Sequence, residues 1–211
     1  MKENEFSFFL KEKLEESFLE KGVDPKDLFT DISSLRIALN GESDRGCALL
    51  AIAFLDNILK ELLRKFLVDD SSVFNNLFAG SGGLSSFSSR IELAYLLGLI
   101  SPMQRRDLNL LRKIRNDFAH SMDIIDFENQ TISNRINELY HLYSGQESST
   151  RTKYIRVIFS IAGLIQGGIL RSESRQKKEN LDLKSPQVQK MIEDAEKAKV
   201  EFLEMHNREQ E

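Results

Sequence analysis

Residues 101–121 read SPMQRRDLNLLRKIRNDFAHS, and they decide the fold class. Ser101 offers a side-chain oxygen to the free amides that begin a helix, and Pro102 follows at the first helical position, where no N–H is needed. Leu108, Leu111, Ile114 and Phe118 then recur at steps of three and four, an apolar stripe that predicts a core-facing helix. Gly98 is placed to end the helix before it. Opposite the apolar stripe, Asn109, Arg112, Asn116 and His120 line a polar one. At about 100° per residue, Arg115 lies roughly 140° from His120. The two converge only if the arginine curls round, the helix frays near His120, or a second subunit supplies its own copy. That geometry predicts a site at an interface.

Working towards the N-terminus, Ser85 or Ser86 caps a helix that runs through Leu97 and buries Phe87, Ile91, Ala94 and Tyr95. Arg90 is its notable charge. Residues 69–89 read as one long irregular stretch. Its GSGG segment lacks the GK[ST] ending of a phosphate loop and serves backbone freedom instead. Residues 44–68 predict a central helix, apolar nearly all round in its first half. One face is marked by Cys47, Leu50, Phe54, Ile58 and Leu62, another by Leu55, Leu59 and Phe66. Asp56 and Asn57 interrupt it, either as a solvent-facing boundary or as a polar pair aimed at the cleft of RNDFAH. Before them, residues 4–21 and the stretch from Asp24–Pro25 to Gly41 predict two amphipathic helices that cover the core.

Towards the C-terminus, an acidic connector leads to a short helix in which His141 reads as structural. Residues 150–171 form the last core helix, with Arg151, Lys153 and Arg156 at its basic start. Arg156, Gln166 and the pair Gly167–Gly168 make its apolar stretch too polar for a membrane span, so it reads as buried. From Ser172 the composition turns to a solvated linker. Pro186 then opens a charged helix with Val188, Ile192, Ala195, Ala198, Phe202 and Met205 at roughly heptad spacing, expected to dock on a neighbour or on its own core. The organisation is an N-terminal helical segment over 1–41, a helical core over 42–171, and a charged linker with an interaction helix over 172–211.

Composition narrows the function. A net charge of −4 argues against a protein that coats nucleic acid nonspecifically. One cysteine and three histidines, none at ligand spacing, give no disulfide framework and no metal site, and no cofactor motif appears. The expected home is the cytoplasm, with no membrane partner. The candidate site is therefore Arg115, Asn116 and His120, supported by Asp56, Arg90 and Arg112. This group suits metal-independent RNA cleavage, with His120 moving a proton, Arg115 stabilising phosphate charge and Asn116 orienting the substrate. The plainer reading pairs Arg115 with Asp56 or another buried carboxylate and leaves Asn116 and His120 to end the helix.

Three blocks carry a family resemblance: RGCALLAIAFLDNILKELLRKFL from Arg45, LFAGSGGLSSFSSRIELAYLLGLIS from Leu77, and DLNLLRKIRNDFAHS from Asp107. Together they resemble the mannitol operon repressor family of bacteria over about Arg45 to Leu142. The resemblance implies an all-α bundle that represses gene expression without a DNA-reading motif of its own. The sequence agrees, since no helix-turn-helix with a basic recognition helix is present. A protein partner in transcription or defence is then expected, and direct sequence-specific DNA binding is not. RNDFAH also resembles the R-x4–6-H motif of the HEPN superfamily, helical dimers that include many ribonucleases. Arg115, Asn116 and His120 match it position by position. That second likeness implies a homodimer with the motif at its interface and RNA as the partner. The two readings, regulator and endoribonuclease, both stand at this level, with the regulator ahead.

Overall fold

The computed structural model describes residues 34–140 and 149–208. The expected helix over 4–21, the start of the second helix and His141 lie outside the described residues. Residues 34–41 are helical, and seven further helices follow among the described residues: α1 (Asp44–Phe66), α2 (Ser71–Phe78), α3 (Phe87–Leu96), α4 (Pro102–His120), α5 (Gln130–Asn137), α6 (Thr150–Arg171) and α7 (Pro186–Arg208). The fold is an all-α bundle.

The described chain divides into two compact units between Arg175 and Gln176. In the first, α1 is the central rod and packs against α3, α4 and α6, while α5 bridges α4 and α6. Ser43 caps α1 by accepting from the Gly46 amide at 3.1 Å. The buried face of α1 runs through Cys47, Ala51, Leu55, Leu59 and Leu62, all fully buried. The helix is central, as its apolar first half predicts, but Leu50, expected on a buried face, is 37% exposed, as is Leu49. Small Ala48 and Ala51, both fully buried, let neighbouring helices approach on one side.

The irregular stretch expected over 69–89 is also corrected, because Ser71–Phe78 is the helix α2. Asp70 caps it, accepting from the Val73 amide at 3.2 Å. Phe74 and Phe78, one turn apart, stack at 3.9 Å and bury themselves in the core. Eight residues with two asparagines have little intrinsic helicity, so burial of these two rings stabilises the helix. The glycine-serine turn that follows is tightly folded. A Cβ on Gly82 would meet the Asn76 and Leu77 carbonyl oxygens at 2.3 Å, and the Leu84 amide closes the turn on Leu77 O at 2.9 Å.

α3 begins at its Ser86 cap and ends at Gly98, whose φ of 71° is the left-handed conformation that stops a helix. α4 opens with a complete capping box. Ser101 Oγ accepts from the Gln104 amide at 3.2 Å, and Gln104 Oε1 accepts from the Ser101 amide at 2.8 Å. Leu108, Leu111, Ile114 and Phe118 are fully buried, as the stripe predicts. α6 is the one described helix long and apolar enough to cross a membrane. Its Tyr154, Val157, Ile158, Ile161, Ala162 and Ile165 are fully buried within the bundle.

Candidate functional site

The polar side of α4 is built turn by turn. At its start, Arg105 Nε donates to Glu92 Oε2 of α3 at 2.7 Å, and its guanidinium lies 5.0 Å over the Tyr95 ring. Asn109 adds a hydrogen bond to Glu92 Oε1 at 3.3 Å and another to the Arg105 carbonyl at 3.1 Å. The bond from Arg105, reinforced by Asn109 against partial desolvation, holds the Glu92 carboxyl below its usual range. One turn on, Arg112 is half-buried, and its Nε is buried without a hydrogen-bond partner. A turn further, Arg115 Nη1 donates to Asn116 Oδ1 at 3.0 Å.

RNDFAH therefore divides its labour. Phe118 is core. Asp117 forms an ion pair with Arg135 of α5. Arg115 and Asn116 join each other, and His120 stands exposed at the last position of the helix. No hydrogen bond joins His120 to Arg115 within the described residues, as their separation round the helix implies.

Asp56 does hold an arginine, but it is Arg90 of α3. Arg90 Nε donates to Asp56 Oδ1 at 2.8 Å and Nη2 to Oδ2 at 2.6 Å, a bidentate pair with Arg90 6% exposed. Arg90 Nη1 also ties down the turn before α3, donating to Leu84 O at 2.7 Å and Ser85 O at 3.1 Å. Asn57 faces outward and donates to Glu61 Oε1 at 3.2 Å. With Asp56 engaged elsewhere, Arg115 has no carboxylate partner among the described residues, while Arg112 helps to hold the Glu92 carboxyl down through charge without forming an ion pair.

A second polar cluster supports the chain just after His120, and the sequence reading passed over it. Arg45 Nη2 donates to Ser121 O at 3.0 Å and to Asp123 O at 3.1 Å. Its neighbour Asp44 accepts from the Phe127 amide at 2.9 Å and pairs with Arg151. Arg151 in turn donates to Leu39 O at 2.8 Å and lies 6.0 Å over the Phe127 ring. Two adjacent charges at the head of an otherwise apolar helix were the available signal. Held this way, the loop carries Met122 and Ile124 fully into solvent.

Burial pushes the Cys47 thiol up to about 11 and the Tyr154 hydroxyl well above its usual value. Among the described residues no group of three or more His, Cys, Asp or Glu side chains is gathered to hold a metal ion.

A family model described as mannitol repressor matches residues 39–156, more than half of the chain. The chain belongs to the mannitol repressor family. The match spans α1 to the start of α6 and so contains every candidate site residue. Among solved structures, the bundle is similar to a chain of the X-ray structure of the MtlR–HPr complex from Escherichia coli. The TM-score is 0.54 at 19% identity, over 62% of this chain and 94% of that one. At that identity the likeness is one of fold. No curated protein sequence matches.

Proposed function

We propose that this mannitol repressor family member is a cytoplasmic regulator that lowers gene expression by binding a protein partner, HPr or a protein of its kind. Membership over residues 39–156 carries the reading. The solved relative in complex with HPr supplies the partner class. The bundle over 42–171 is the binding body, and the side of α4 that presents Arg112, Arg115 and Asn116 is the contact face. Arg115 pairs with no carboxylate among the described residues and Arg112 Nε has no hydrogen-bond partner, so these donors suit a partner that offers acceptors.

The test is calorimetric titration of the full chain with the HPr of the same organism. Saturable one-to-one binding is expected, weakened about tenfold or more by Arg112→Glu or Arg115→Glu and unchanged by His120→Ala. Heat-silent mixing, with no complex on a sizing column, overturns the reading.

The same unopposed donors favour a second reading, in which Arg115, Asn116 and His120 cleave RNA without a metal across a homodimer. Arg115 is not consumed by a carboxylate, and His120 is open to solvent. Incubation of varied RNAs with the protein in EDTA tests it. Cleavage abolished by His120→Ala supports a ribonuclease, and intact RNA sinks it.

A further inference from the structure

The second compact unit contains the 23-residue helix α7, and several of its apolar side chains stand in solvent. Met191 is 71% exposed, Phe202 54% and Met205 60%. Their spacing is stricter than an amphipathic face requires. Val188, Ala195 and Phe202 stand seven apart, and Met191, Ala198 and Met205 repeat three residues behind them. These are the first and fourth positions of three consecutive heptads, the seam of a two-stranded coiled coil. Most helical stability in proteins comes from packing an apolar face, so a seam left in solvent calls for a mate.

The charges beside the seam say which mate. The positions just before the three first-position residues hold Gln187, Asp194 and Glu201. The positions just after the three fourth-position residues hold Ile192, Lys199 and His206. In a parallel pair, each seam-flanking residue meets the residue five further along the partner helix. Asp194 then faces Lys199 of a second copy, and Glu201 faces His206. In an antiparallel pair Asp194 would face Glu201, acid against acid. Within one helix, residues five apart are not neighbours, so these charges do not satisfy each other intramolecularly. Asp194 and Lys199 are both exposed.

We propose that α7 pairs in parallel with α7 of a second copy of this chain. The proposal is independent of the partner bound by the bundle, since α7 lies beyond the family match.

Sedimentation of the full-length chain tests it through charge reversal. Wild type is expected to dimerise. Asp194→Lys and Lys199→Glu each place two like-charged contacts in the dimer and weaken it about tenfold. An equimolar mixture of the two variants restores both contacts as attractive ones, so it is expected to recover a dimer at least as tight as wild type. A monomeric wild type overturns the proposal. So do single variants that dimerise unchanged, or a mixture no tighter than its components. In those cases α7 covers its own chain or a different protein. Circular dichroism of each variant confirms that exposed substitutions leave the bundle intact.

Discussion

Arg90 makes four hydrogen bonds from a nearly buried position, two to Asp56 and two to the carbonyls of Leu84 and Ser85. Replacing it with leucine leaves a half-buried carboxylate and two carbonyls without their donor. Arg90→Leu is therefore expected to destabilise the bundle by about 3 kcal/mol in urea titration, towards the low end for a broken buried pair because Asp56 keeps some contact with water. A loss below about 1 kcal/mol would mean that water replaces the guanidinium. Lysine should rescue little, because a point charge cannot match the bidentate geometry. The sequence marks both Arg90 and Asp56 as misfits in apolar runs, yet it does not match them, since they lie 34 residues apart. Periodicity gives each residue's face on its own helix and says nothing of which neighbouring helix that face meets. Cys47 gives a second prediction at this scale. Its thiol is raised from 9.0 to about 11, so between those values the unfolded chain releases the proton and the folded one keeps it. Stability is then unaffected below about pH 9 and falls above it, by about 1 kcal/mol at pH 10. Denaturant titrations of wild type and Cys47→Ala across pH 8–10 check this. Only the wild type should carry the extra loss, and parallel curves would disprove it.

Helices with complete local signals were legible element by element. α4 has its cap, its proline and its stripe within one segment, and the structure adds only the reciprocal Gln104 bond. Ser101→Ala removes one half of that box and should cost about 1 kcal/mol, read as a shifted urea midpoint with an unchanged slope. No shift would show that Gln104 alone secures the start of α4. α2 was hidden for the opposite reason. Its own residues favour a loop, and only the packing of Phe74 and Phe78 makes it helical. The turn after it depends on Gly82, where any Cβ collides with backbone rather than with a movable side chain. Gly82→Ala should destabilise by about 2 kcal/mol, the scale of overpacking, and near-neutral stability would mean that the turn opens freely. α1 is central, as its apolar run predicts, yet Leu49 and Leu50 remain part-exposed, since apolar composition does not say which side the neighbouring helices take.

For the whole molecule, the composition changes at Ser172, and the described chain divides into two compact units between Arg175 and Gln176. Pairing between distant charges, as in Asp44 with Arg151, was not legible, and with it went the cluster that supports the loop beside His120. The division into units has a thermal consequence. The bundle buries its own core, so its unfolding should not depend on protein concentration. α7 gains cover only from a second copy, so its helix should melt in a separate phase governed by mass action. Heating the full chain while following far-UV ellipticity should then show two transitions. The lower one should move upward when concentration rises about a hundredfold, and the upper one should stay fixed. A chain ending at Arg175 should lose the lower transition and keep the upper within about 1 kcal/mol of stability. A single concentration-independent transition in the full chain would place the cover of α7 within the same molecule. The heptad seam would then be an intramolecular face, and the parallel pair would fall with it.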